Sequence, residues 1–128
     1  MRLLLDTHAF LWFVLGDSQL SQTAKSLIVD PANDNWISPV CYWEVAIKVS
    51  IGKYTLPVLH EVFFETAIRL NGFGVLPIEP KHTAIVATLP FHHKDPFDRL
   101  LIAQAMAEGI PLVSADVAFD PYGVQRLW

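Results

Sequence analysis

Short apolar runs alternate with helical segments that carry their own start and stop signals along the whole of this chain, and that alternation admits few folds. "RLLL" (Arg2 to Leu5) reads as a strand, and "THAFLWFVL" opens a helix directly behind Asp6. Ser21 can cap a helix running to about Val29, and "DPANDN" is a loop of turn residues. "WISP" reads as a short strand ending at Ser38, whose hydroxyl can cap a helix with Pro39 at its first position and Gly52 beyond its end. Pro57 is expected to open a further helix to about Leu70, "VLPIE" to form a strand, and "PKHTAIVATLP" to be a short helix bracketed by prolines. "DPFDRLLIAQAMAEG" has Asp95 as N-cap, Pro96 at the first helical position and Gly109 past the end. "IPLVSAD" is then a strand ending in Asp116, and "VQRLW" a last short strand. Such alternation predicts an α/β fold, with a mainly parallel sheet covered by helices on both faces through right-handed crossovers.

The 128 residues suit one domain, expected to span residues 1–128. A lone cysteine, Cys41, excludes an internal disulfide and fits a reducing compartment, so the cytoplasm is expected. Asp6 and His8 break what might otherwise resemble a signal peptide, and no run approaches the roughly 18 apolar residues a spanning helix needs. Hydrophobic residues make up 52% of the chain, with eight Phe and four Trp, so some apolar surface is expected to meet a partner. The net charge of −4 argues against a polyanionic ligand unless a metal intervenes.

Four carboxylates stand where the pattern calls for something else. Asp6 and Asp116 follow strands, and parallel strands bring both to one sheet edge, where ligands gather in open α/β sheets. Glu44 shares a helix face with Val40, Ile47 and Ile51, and Asp98 lies beside Leu101, Ile102 and Ala105. Each has a bland reading: a cap for Asp6, an exposed turn for Asp116, a favourable first-turn acid for Asp98, a pair with Lys48 for Glu44. Together they would repel, each close pair by about 4 kcal/mol at ~4 Å and an effective dielectric of ~20. Protons or a cation must compensate, and an all-oxygen ligand set suits Mg2+ or Mn2+. Neutralising four carboxylates also brings the charge from −4 to 0.

"LLLDTHAFLW", "ISPVCYWEVAIK", "DPFDRLLIAQA" and "PLVSAD", in that order over the chain, resemble the successive motifs of PIN-domain ribonucleases, above all the VapC toxins of type II toxin–antitoxin systems. The resemblance implies a PIN-like three-layer α/β/α sandwich. It implies that Asp6, Glu44, Asp98 and Asp116 are the catalytic, metal-binding acids, with Thr7, Ser38 and Ser114 as supporting hydroxyls. It further implies hydrolysis of RNA by metal-activated water, a homodimer, and an antitoxin segment along the active-site groove. Ala115 stands where many relatives carry a basic residue, leaving Arg99 or Lys94 to contact substrate.

Other signals weigh less. Adjacent His92 and His93 lack zinc-site spacing and are expected in a solvated loop. Trp12, Trp36, Trp43 and Trp128 are expected in core or interface, with base stacking the lesser reading. Two rivals remain at this point: a silent PIN-fold interaction domain, and a phospho-aspartate phosphatase, whose "DxD" is here "DTH".

Overall fold

The computed structural model describes residues 1–128. Five strands, β1 (Arg2–Leu5), β2 (Asp34–Ile37), β3 (Gly74–Val75), β4 (Leu112–Val113) and β5 (Arg126–Leu127), form one sheet in the order β3-β2-β1-β4-β5. All four pairings are parallel, with Leu3 opposite Asn35 and Leu5 opposite Val113. Six α-helices connect them: α1 (Thr7–Leu15), α2 (Gln22–Val29), α3 (Pro39–Ser50), α4 (His60–Asn71), α5 (Pro80–Thr88) and α6 (Pro96–Glu108). A 3-10 helix, Val117–Tyr122, precedes β5. No helix is long and apolar enough to cross a membrane.

Alternation along the central strand builds the three layers. Leu3 and Leu5 enter one core with Ala24 and Ile28 of α2, Phe63 and Phe64 of α4, and Phe10 of α1. Leu4 enters the other with Leu101, Ile102 and Ala105 of α6 and Leu89 at the end of α5. Helix α3 serves both, giving Val45 to the first and Val40 and Cys41 to the second. The chain runs from β1 outward to β2 and β3, then crosses back to β4 and β5. The reversal therefore falls at β1 and β4, and their carboxyl ends carry Asp6 and Ser114-Ala115-Asp116.

The helix caps read from sequence hold for Ser21, Ser38 and Asp95. Other boundaries differ: the strands in "IPLVSAD" and "VQRLW" are only Leu112–Val113 and Arg126–Leu127, so Asp116 lies three residues past the end of β4. Strand β2 starts at Asp34, upstream of "WISP". Helix α4 starts at His60 instead of Pro57, with Leu59 at the N-cap, and the His60 ring Nε2 lies 2.9 Å from the Tyr42 carbonyl. The strand expected over "VLPIE" is Gly74–Val75, overlapping it only at Val75: the Leu76 N–H still reaches the Ile37 carbonyl at 2.8 Å, but Pro77 has no N–H to continue. Finally, Ile51 lies past the end of α3 and is 61% exposed, so the stripe buried around Glu44 is Val40, Cys41 and Val45.

Gly74 is required where β3 meets β2. A Cβ there would lie 2.5 Å from the Trp36 ring, which packs across the strand pair. Gly74→Ala is expected to lower stability by about 1–3 kcal/mol, the range for overpacking. Denaturant unfolding measures this, and an unchanged midpoint would show that the indole can move aside.

Candidate active site

Asp6 ends the central strand and starts the next helix. One of its oxygens, Oδ1, accepts the Ala9 N–H at 2.8 Å, so it caps α1 while its carboxylate stays buried. Next to it, the Thr7 hydroxyl donates to Glu44 Oε1 at 2.7 Å. Glu44 is buried in α3, and its Oε2 receives Lys48 Nζ at 2.6 Å. The pairing with Lys48 and the placement in the site therefore coexist. Ser38 is buried, its hydroxyl accepts the Val40 N–H at 3.1 Å at the start of α3, and it is not among the residues that line the cavity.

Helix α6 brings in the third acid. Asp95 Oδ1 accepts the N–H groups of Phe97 (2.8 Å) and Asp98 (3.1 Å), a working N-cap. Asp98, one turn in, is left free of capping duty, and its Oδ2 lies 3.0 Å from His93 Nε2. Asp116 follows β4; its N–H donates to the Ser114 hydroxyl at 3.0 Å and its Oδ1 accepts the Ala118 N–H at 2.9 Å. It thus caps the 3-10 helix where a plain exposed turn was one expectation.

The four acids meet at a cavity of about 90 Å³, lined by Asp6, Thr7, His8, Glu44, Lys48, Asp95, Asp98 and Asp116, with no hydrophobic side chain among them. Burial, followed by the negative charges of Asp95, Glu44, Asp6 and Asp116, pushes the Asp98 carboxyl up to about 8. Burial also raises Asp6, against the opposing hydrogen bonds from the Ser114 hydroxyl and the Ala9 N–H. Two acids driven toward the proton-bound form are the signature of a cluster with too little positive charge. The donors are carboxylate oxygens drawn from four separate elements, and this chemistry fits a hard divalent cation. Thiol chemistry is excluded: Cys41 is buried, and burial pushes its thiol up to about 12. His8, which takes the place of a second phosphatase acid, is exposed with its Nε2 3.1 Å from the Tyr54 hydroxyl.

Two sequence expectations change here. Arg99 does not face the cavity. It is buried, and its guanidinium donates to the carbonyls of Leu89 (2.9 Å), Pro90 (2.9 Å) and His93 (3.2 Å), under the Phe91 ring. A cation on the free carbonyls that follow α5 is a structural cap. Lys94 is exposed beside Asp95 and stays available. His93, expected in a solvated loop, instead points into the acids, with Nε2 3.0 Å from Asp98 and 3.3 Å from Asp116. The signal lay in its position two residues before an N-cap, close enough for the Asp95 N–H to reach its ring at 3.2 Å. Of the tryptophans, Trp12, Trp36 and Trp128 are partly buried, whereas Trp43 is 60% exposed and edge-on to Phe97.

Comparison with known proteins agrees with this architecture. Among solved structures, the fold is similar to VapBC2 from Rickettsia felis bound to a promoter DNA fragment, at 18% identity, 100% of each chain and a TM-score of 0.68. It is similar to FitAcB from Neisseria gonorrhoeae at 21% identity, with 97% of this chain and 95% of that one covered and a TM-score of 0.69. VapBC-1 from nontypeable Haemophilus influenzae aligns over 98% of this chain and 96% of its own, at 16% identity and a TM-score of 0.63. No curated protein matches the chain. The sequence pattern of the PIN domain matches residues 3–124, nearly the whole chain, and the protein belongs to the PIN domain family.

Proposed function

We propose that this protein is the toxin of a type II toxin–antitoxin pair, acting as a Mg2+- or Mn2+-dependent ribonuclease through one domain over residues 1–128. The observation that carries this reading is the convergence of Asp6, Glu44, Asp98 and Asp116 on one cavity without apolar lining. These four residues would hold the cation. When bound, the metal supplies an activated water as nucleophile and stabilises charge on the phosphate oxygens. Thr7 holds Glu44 through its hydroxyl, Ser114 would support the acids from the turn after β4, and Lys94, exposed beside Asp95, would be the basic side chain that meets a phosphate. No side-chain nucleophile is required.

The antitoxin reading draws support from the likeness to VapBC and FitAcB assemblies and from a groove of about 390 Å³ beside the site. Leu11, Trp12, Leu15 and Leu56 line it, and His8 lines both groove and acid cavity. A peptide lying there could place an arginine against the carboxylates, which it pairs bidentately. A homodimer in the cytoplasm completes the proposal, with exposed aromatics such as Trp43 available for contact. The silent-domain alternative is disfavoured because no member of the acid set is missing. The test is cleavage of RNA by the purified protein: activity is expected with Mg2+ or Mn2+ and should stop in excess chelator. Undiminished cleavage in chelator would remove the metal, and no cleavage with either ion would favour the silent domain.

A further inference from the structure

His93 stands between two acids of the site, and the reading above gives it no task. It belongs to the loop between α5 and α6. The Asp95 N–H is directed at its Nδ1 at 3.2 Å, so Nδ1 accepts and the ring proton sits on Nε2. That Nε2 lies 3.0 Å from Asp98 Oδ2 and 3.3 Å from Asp116 Oδ2. A ring nitrogen that carries its proton has no lone pair to offer a cation. Although the three atoms lie within 4.8 Å of one another, His93 is therefore a donor to the acids and no ligand.

The ring is held independently of the carboxylates. The His93 N–H donates to the Tyr122 hydroxyl at 2.7 Å, and its carbonyl accepts from Arg99 at 3.2 Å. Phe119 supports the ring, with centroids 5.7 Å apart. Asp116 needs such a partner: its side chain is 45% exposed, and Asp98 repels it.

Resting on the metal-site reading, we propose that His93 is a positioning residue, whose Nε2–H bridges Asp98 and Asp116 and aims both carboxylates at one point before the cation arrives. Hydrogen-bond partners of ligating carboxylates commonly contribute about 10–100-fold to metal affinity. Because the backbone contacts of residue 93 survive side-chain replacement, the loop should keep its course in variants.

The experiment is Mn2+ titration calorimetry on the full chain, with thermal melts in the absence of metal as the folding check. His93→Ala is expected to weaken Mn2+ binding about tenfold or more. His93→Gln, whose amide nitrogen reaches the position of Nε2, should restore most of it. In an Asp116→Asn background the loss from His93→Ala should shrink by at least half, since one of its two acceptors no longer repels the other. Wild-type affinity in His93→Ala, tighter binding, or a Gln variant as weak as the Ala variant overturns the proposal. Asp6→Asn separates the two readings: if it loses Mn2+ while His93→Ala keeps it, only the role of His93 fails. A wild-type protein that binds no Mn2+ overturns both.

Discussion

Asp6→Asn is expected to cut RNA cleavage by about 1,000-fold or more while leaving the melting temperature unchanged or higher. The reasoning lies in the two oxygens of one side chain. Oδ1 caps α1 through the Ala9 N–H at 2.8 Å, and asparagine caps a helix about as well as aspartate does. The local fold therefore survives. What asparagine cannot supply is the charge at the end of the central strand, where cation stabilisation of the phosphate is worth several kcal/mol, with each ~1.4 kcal/mol a factor of ten in rate. Relief of repulsion in the metal-free cluster pushes stability up, if it changes at all. Single-turnover cleavage with Mg2+ and a thermal melt on the same preparation decide the matter. A variant with full activity would sink the assignment of Asp6. An inactive variant that no longer melts cooperatively would show that the cap, and not the charge, was essential.

The two aspartates of "DPFD" should separate in the same assays. Asp95→Ala removes a cap that accepts two N–H groups and should cost about 0.5–2 kcal/mol of stability, with only a modest fall in cleavage. Asp98→Asn should abolish metal binding and cleavage and leave the metal-free protein as stable or more so. pH adds a further distinction. The Asp98 carboxyl ordinarily titrates at 3.8 and is pushed up to about 8 in the fold. Between these values the folded protein holds a proton that the unfolded chain has released, so metal-free stability should decline as pH rises through this window. A cation must displace that proton, so Mn2+ affinity should climb as pH approaches 8, with protons released on binding. Asp98→Asn should flatten most of the stability slope, while Asp95→Ala, which removes the largest of the repelling charges but leaves the burial of Asp98, should narrow the window and keep part of the slope. An inactive, stable Asp95→Ala beside an active, destabilised Asp98→Asn would reverse the two roles.

Helices announced themselves in the sequence because their signals are local. Ser21, Ser38 and Asp95 each hydrogen-bond within three residues, and the glycine at 109 takes φ +63 just past α6. Strands were harder to bound, since β3, β4 and β5 are two residues long and exist only by pairing with neighbours distant in sequence. The four acids were visible as charges on apolar faces, a conflict between pattern and composition. The environments of Arg99 and His93 were not, because both are set by tertiary contacts: one by carbonyls at the end of α5, the other by acids from α6 and the turn after β4. In each case the residue type suggested a surface role that burial and local hydrogen bonding overrode.

Arg99 also has a mechanical meaning. Its guanidinium grips the backbone at Leu89, Pro90 and His93, while the helix it belongs to carries Asp98 one position earlier. The end of α5, the loop beyond it and the first turn of α6 are therefore tied together by one guanidinium, next to Asp98. Beside the apolar packing of α5 on α6, this grip joins the loop to the helix that presents Asp98, so the placement of one acid depends in part on a residue that never touches the site.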